Sequence, residues 1–362
     1  MPAAPVSAVP TVALHPTPPG PGVLVSLEAT AARRGLDVLA LELAKLRELV
    51  LADLAEVALV LDEREPPERQ VARAAHHLLD LGGKRLRPTC VALAARCGDA
   101  PDLVVRDLAV AVELVHSATL LHDDVVDLGD TRRGAATPRA VYGNAASIFA
   151  GDWLLVEALR RVRATRMPDA LDGLLDTIEE MIFAESLQLE RRGKLVPDLD
   201  TWLKVARGKT ASLFRWGMGA GARAGGLDDG ACAALEAYGE ELGVAFQAVD
   251  DLLDVAGDER ATGKALFADL AEGKVTYPLC IALAREPQLV GPLAGAVESG
   301  GADAALLAEL RAGLVRTGAL DETRTFARAR VEAGKARLAV LPPSRARAAL
   351  AAVADSTVKR WS

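Results

Sequence analysis

Two short aspartate clusters limit what this chain can become. They read Asp123-Asp124-Val125-Val126-Asp127 and Asp250-Asp251-Leu252-Leu253-Asp254, and each lies inside an otherwise apolar, helix-patterned stretch. Like charges one turn apart destabilise a helix, and carboxylates on a buried face must be paired or bind a cation. One such cluster is often a solvated acidic turn. Two of them, each within a core-forming helix, point to a shared partner of high positive charge.

Helical geometry sorts the carboxylates. Asp123 and Asp127 are i,i+4 and share a face, His116 lies two turns earlier on nearly the same face, and Asp124 is rotated away by roughly 100°. Gln247, Asp250, Asp251 and Asp254 form a second stripe. Two facing stripes make a carboxylate-lined cleft. Oxygen donors without nearby Cys or His partners suit hard cations such as Mg2+, which takes one or two carboxylates together with substrate phosphate oxygens.

The rest of the chain predicts an all-α fold. Hydrophobic residues make up 51% and aromatics only 4% of 362 residues, a balance that favours helix over a sandwich or barrel. Helical patterns run over about 36–62, 68–81, 86–97, 101–127, 144–166, 169–192, 199–207, 210–223, 229–256, 276–285, 302–317, 320–339 and 343–358, separated by Gly and Pro breakers. No strand pattern of useful length interrupts them, and no linker divides them. Met1 to Gly22 holds seven of the 19 prolines and no Lys or Arg, unlike a signal peptide. The expected organisation is a disordered Pro-rich tail over 1–28 and one all-α domain over 29–362. A net charge of −8 argues against a nucleic-acid partner. The four cysteines show no metal spacing, and no apolar run has the length of a membrane span, so a reducing cytoplasm is expected.

Basic residues on glycine-rich turns complement the acidic clusters. They are Gly82-Gly83-Lys84-Arg85-Leu86-Arg87-Pro88, Arg132-Arg133-Gly134, Gly208-Lys209-Thr210, Thr262-Gly263-Lys264 and Gly273-Lys274. None has the spacing of a P-loop. Backbone N–H groups at helix starts and charge-assisted side-chain bonds hold phosphate. Carboxylates for Mg2+, Mg2+ for diphosphate, and basic groups for the remaining charge make one consistent set.

With these motifs in this order, the chain resembles the trans-isoprenyl diphosphate synthases, the polyprenyl synthetase family, in particular those making medium and long chains. The resemblance runs from about Glu65 to Arg285. It rests on the Gly82–Pro88 motif, on Glu113 to Asp127, on Arg132-Arg133-Gly134, Gly151-Asp152 and Gly208-Lys209-Thr210, on Phe246 to Asp254, and on the Gly-Lys elements at 263–264 and 273–274. It implies a single-domain bundle of about 10–13 helices around a central apolar cavity. It also implies a head-to-tail prenyl transfer, in which an allylic diphosphate ionises, isopentenyl diphosphate attacks, and a proton is lost.

The resemblance also implies residue roles. Three Mg2+ would be held, two by Asp123 and Asp127 and one by Asp250 with help from Asp254. Lys84, Arg87, His116 and Arg133 would bind isopentenyl diphosphate. Arg132, Lys209, Thr210, Gln247 and Lys264 would bind the allylic diphosphate, with Lys274 nearby. Asp123, Asp124, Asp127, Asp250 and Lys209 are the expected catalytic set, Asp124 acting by tuning charge. The small residues Ala118 and Thr119, just before the first cluster, would leave the floor of the product tunnel open and favour a product of C30 to C50. A homodimer is expected, and the product can partition into membrane. Where the family often has Gly-Glu before a Gln, this chain has Ala184-Glu185-Ser186-Leu187-Gln188, a mild departure.

Alternative readings are a short-chain synthase, a class I terpene cyclase and a non-catalytic partner subunit. The Gly82–Pro88 motif and the second Asp-Asp-x-x-Asp argue against a cyclase. The intact aspartate clusters argue against a catalytically empty subunit.

Overall fold

A computed structural model describes residues 37–62, 68–257, 266–298 and 304–359. The expected tail over 1–28 and the expected ligand Lys264 lie outside the described residues. Helices α1 (Asp37–Asp62), α2 (Gln70–Asp80), α3 (Leu86–Ala95) and α4 (Asp102–Val126) open the fold. A two-residue antiparallel hairpin follows, pairing Thr131 with Ala136 and Arg132 with Ala135. Then come α5 (Pro138–Tyr142), α6 (Asn144–Ala164), α7 (Pro168–Arg191) and α8 (Leu199–Val205). A π-helical turn over Ala206–Ala211 leads into α9 (Ser212–Ala224) and the long α10 (Asp229–Ala256). The chain finishes with α11 (Ala268–Ala271), α12 (Tyr277–Arg285), α13 (Val290–Glu298), α14 (Ala304–Arg316), α15 (Ala319–Arg337) and α16 (Arg345–Val358). The protein is all-α, as the sequence predicts. Among the described residues, no helix is long and apolar enough to cross a membrane.

Local chemistry starts these helices. Asp228 caps α10 by accepting from the Ala231 N–H at 2.8 Å, and Asp198 caps α8 by accepting from Thr201 N–H at 2.9 Å. Thr137 caps α5, with Pro138 at its first position. Sequence periodicity missed α5, α11 and α13. The first two are only a turn or so long, and α13 carries Gly291 and Pro292 in its opening turn, where proline is tolerated but breaks the apolar pattern. The break expected at residues 208–209, between helices over 199–207 and 210–223, is instead wound continuously into a π turn over Ala206–Ala211.

α4 packs mainly on α6, while α10 packs on α15 and α9. Small residues set close spacings: a Cβ on Gly221 in α9 would fall 2.5 Å from the Val91 carbonyl oxygen in α3. α4 and α10 thus keep their cavity-facing sides open to each other, with the two aspartate clusters at their C-terminal ends.

Candidate active site

A cavity of about 870 Å3 lies between α4 and α10, within the range of sites for small organic ligands. Its rim is polar: Lys84, Arg87, His116, Asp123, Arg132, Arg133, Lys209, Thr210, Gln247 and Asp250 all line it. Apolar side chains also line it, Val115, Leu120, Leu155, Ile178 and Met181 together with the more exposed Ile182. A polar annex of about 250 Å3 shares Asp123, Arg132, Lys209 and Gln247 with it and adds Asp127 and Lys274.

The basic side of the rim is organised by a carboxylate that sequence reasoning passed over. Glu113, 4% exposed, accepts from Arg85 Nη1 at 2.8 Å. Its charge also acts on Arg87 and Arg133, whose guanidinium pKa values burial nevertheless lowers. Arg87 lies over the Phe214 ring at 4.7 Å, a cation–π contact that helps hold the buried charge. Burial, and then the guanidinium groups of Arg87, Arg133, Arg132 and Arg85, hold His116 well below the usual histidine range, so it is neutral at pH 7. The signal for Glu113 was its position: a carboxylate ten residues before Asp123, on a helix that is otherwise apolar there.

On the acidic side, lysines sit against the carboxylates. Lys209 Nζ is 3.5 Å from Asp123, pairs with Glu185 and donates to Gln188 at 3.1 Å. Lys274 Nζ donates to Asp127 at 2.8 Å and to Glu272 at 2.6 Å. Burial lowers the Lys274 pKa, but Glu272 and Asp127 outweigh it and hold the ammonium above its ordinary value. Asp123 is raised, chiefly by burial, with Lys209 opposing and Glu185 and Asp127 adding to the rise. Glu185, Glu272 and Arg192, which lies 3.4 Å from Asp127, are further members of the site. The hydroxyl-bearing Ser356 and Thr357 of α16 also line the cavity. They come from the far end of the chain, and no motif marked them.

Some expected residues lie off the cavity, and Asp124 is turned away from it as its helical position predicts. Asp124 is 2% exposed and turns inward, where Arg132 donates to its Oδ1 from Nε at 3.0 Å and Nη2 at 2.8 Å. It aims Arg132 at the cavity and lines neither the cavity nor the annex. Asp254 also lines neither: it sits in the last turn of α10, where its Oδ1 accepts from the Asp269 N–H at 3.3 Å and fixes the following turn. Ala118 is fully buried in the apolar cluster containing Leu121, Ala150 and Leu154, while Thr119 does line the cavity. The helical wheel explains the split, since Thr119 is ~40° from Asp123 and Ala118 is ~140° away. Thr210 was expected to donate to a diphosphate. Its hydroxyl hydrogen goes instead to Gln247 Oε1 at 2.8 Å.

The donor set fits a hard divalent cation. Asp127, which lines the annex, has a buried Oδ1 that accepts no hydrogen bond from the described residues. Among the described residues, no three His, Cys, Asp or Glu groups converge as a ready-made cage. Carboxylates such as these suit a divalent cation that takes its remaining ligands from substrate phosphate and water.

Residues 68–308 match the family model described as polyprenyl synthetase. The chain belongs to the polyprenyl synthetase family. It is 34% identical over 328 residues to octaprenyl diphosphate synthase of Escherichia coli, covering 88% of this chain and 99% of that protein. It is 35% identical to nonaprenyl diphosphate synthase of Mycobacterium tuberculosis, over 86% of this chain and 93% of that one. Among solved structures, a polyprenyl synthase from Caulobacter crescentus complexed with calcium and isoprenyl diphosphate superposes with a TM-score of 0.82 at 37% identity, covering 88% and 98% of the two chains. The protein is thus a prenyltransferase of the polyprenyl diphosphate synthase type, which elongates isoprenyl diphosphates head to tail. Such a family works on isoprenyl diphosphates with a divalent metal.

Proposed function

We propose that this polyprenyl synthetase condenses isopentenyl diphosphate with a geranyl, farnesyl or geranylgeranyl diphosphate primer to give a product of C30 to C50, using Mg2+. One observation carries the reading: a single cavity joins a rim of arginines, lysines and aspartates to an apolar wall. Lys84, Arg87, His116 and Arg133 form the isopentenyl diphosphate side, held together by Glu113. Arg132, Lys209 and Gln247 form the allylic side, with Lys274 against Asp127.

Asp123, Asp127 and Asp250 are the residues that would hold Mg2+, in a set of three ions. Bound there, the metal supplies Lewis-acid and electrostatic stabilisation of the leaving diphosphate. Lys209 and Lys274 neutralise the carboxylates before substrate arrives and turn to the diphosphate afterwards. Arg132, aimed by Asp124, adds fixed positive charge where the leaving group gains negative charge. Thr119, Leu155, Ile178, Met181 and Ile182 receive the growing chain and exclude water from it.

The proposal includes a homodimer. Phe149 and Val156 on α6 and Leu175, Ile182 and Phe183 on α7 are exposed apolar groups on two helices that pack together, a surface that a second copy can cover. The free thiols of Cys90, Cys97, Cys232 and Cys280 suit a cytoplasmic enzyme, whose product then partitions into membrane. Residues 29–362 act as one catalytic domain in this reading.

The test is incubation with isopentenyl and farnesyl diphosphates and Mg2+, followed by chromatography of the dephosphorylated products. Linear polyprenols longer than the geranylgeranyl length are expected. A cyclic hydrocarbon indicates a terpene cyclase, a C15 or C20 end product indicates a short-chain synthase, and no turnover of any allylic primer indicates a non-catalytic subunit.

A further inference from the structure

Thr210 and Gln247, which line the main cavity, end a hydrogen-bond chain that starts at Trp202 and Asp251 in the wall of the annex. Trp202 on α8 donates its indole N–H to Asp251 Oδ2 at 2.7 Å. The backbone N–H of Tyr277, at the start of α12, donates to the same oxygen at 2.9 Å. The other oxygen, Oδ1, accepts from Gln247 Nε2 at 2.8 Å, and Gln247 Oε1 accepts from the Thr210 hydroxyl at 2.8 Å. Trp202, Asp251 and Thr210 are all less than a tenth exposed, so these bonds lie in the wall of the annex rather than in bulk solvent.

The chain has a fixed sense. Trp202 and Tyr277 contribute N–H groups that can only donate, so Asp251 is the acceptor and draws the amide NH2 of Gln247 rather than its oxygen. The amide oxygen is thereby turned to Thr210. The loop also closes through covalent structure. Gln247 and Asp251 are one turn apart on α10, while Trp202 lies one turn before the π turn over Ala206–Ala211 and Thr210 lies within it. A π turn inserts an extra residue into a helix and is seldom stable without outside support. Here the hydrogen-bond loop ties the helix leading into it, through Trp202, and its own Thr210 to α10.

We propose that Trp202 and Asp251 are positioning residues. They fix the Gln247 amide and the π turn bearing Lys209 and Thr210, and through these they seat the allylic diphosphate. Asp251 is accordingly no metal ligand, although it belongs to the second aspartate cluster. The inference rests on the functional reading above, with the allylic substrate on the side of Lys209 and Gln247.

The competing account makes Trp202 an ordinary core residue, since its ring also contacts Tyr277 at 4.8 Å and Phe326 at 5.8 Å between centroids. Trp202→Phe keeps a ring and deletes the N–H; Phe326→Leu disturbs the same ring cluster and spares every bond of the loop. Steady-state kinetics with each substrate varied in turn separates the two. Trp202→Phe is expected to raise KM for the allylic diphosphate about tenfold, the loss of one hydrogen bond to a charged group. It should leave KM for isopentenyl diphosphate within about twofold, and add little in a Gln247→Ala background because both changes break the same loop. Phe326→Leu should leave both KM values near wild type.

Equal KM effects in Trp202→Phe and Phe326→Leu, or additivity with Gln247→Ala, would overturn the proposal. A second measurement needs no variant of the loop to fold. The chain has four tryptophans, and the indole N–H signal of Trp202 in the wild-type protein should be protected from solvent exchange. It should shift on adding a non-ionising thiolo analogue of farnesyl diphosphate with Mg2+, and stay still with isopentenyl diphosphate alone. An unprotected or unresponsive signal refutes the positioning role. Wild-type protein that turns over no substrate refutes the functional reading instead.

Discussion

The split between Ala118 and Thr119 gives a test in which two neighbouring residues should respond differently to the same substitution. Thr119 lines the cavity one turn below Asp123, a rise of about 6 Å. A phenyl ring there projects into the path of the growing chain just beneath the carboxylates. Thr119→Phe should therefore shorten the product by at least one isoprene unit, with little change in stability, because the ring enters open cavity. Ala118 is wholly buried in a close-packed apolar cluster. A phenyl ring there has no cavity to enter and should cost about 1–3 kcal/mol or more through overpacking, a fall of several degrees in Tm. The fraction of Ala118→Phe that folds should keep a product distribution near wild type. The assay is product chromatography with farnesyl diphosphate as primer, run beside thermal unfolding of each variant. Shortening by Ala118→Phe with an unchanged Tm, or no shortening by Thr119→Phe, would refute the facing derived from the helix.

Glu113→Gln removes the counter-charge of Arg85 and should destabilise the fold by about 3 kcal/mol, the low end for a broken buried pair, because Asp62 remains 3.7 Å from Arg85; denaturant unfolding measures this, and KM for isopentenyl diphosphate should rise with it. Gly208→Ala would place a Cβ 2.6 Å from that of Ala184 and 3.1 Å from the Glu180 carbonyl oxygen, so the π turn must move; a loss of about 1–3 kcal/mol is expected, with a fall in kcat/KM beyond what the folded fraction explains. His116 titrates well below its unfolded value near 6.5, so the unfolded chain binds the extra proton in that window; stability gained from this site should be complete above about pH 6.5 and lost as pH falls toward the folded pKa, and His116→Gln should flatten that part of the profile in pH-dependent unfolding. Chelation with EDTA should abolish turnover while leaving the Tm of the free protein almost unchanged, since no preformed cage among the described residues depends on metal; a large drop in Tm would show a structural metal.

Much of this arrangement was legible in the sequence because it depends on periodicity. The α4 and α10 boundaries fall within a residue of the predicted ones, and the cavity-facing set Val115, His116, Thr119, Leu120 and Asp123 is a single helical face. Periodicity fails where an element is too short to repeat, as in α11, or where its first turn carries Gly and Pro, as in α13. It also fails for contacts across the fold. Glu185 on Lys209, Lys274 on Asp127 and the hydroxyls of α16 are brought in from distant parts of the chain, and no local pattern marks these contacts.

The two clusters share a division of labour that neither spelling nor spacing reveals. In each, the first aspartate, Asp123 or Asp250, lines the cavity. The second, Asp124 or Asp251, is rotated by roughly 100° and is 2% exposed, Asp124 lining neither pocket and Asp251 lining only the annex. Each buried carboxylate then holds a polar side chain that returns to the rim: Arg132 from Asp124, Gln247 from Asp251. A carboxylate facing the cleft can take a cation, whereas one facing inward needs donors to offset its desolvation. Adjacent aspartates on one helix point about 100° apart, so doubling the residue supplies one group that faces the main cavity and one that anchors its neighbour. The third aspartates diverge because their surroundings do: Asp127 meets Lys274 across the annex, while Asp254 lies in the final turn of α10 and is spent on the backbone of the turn that follows.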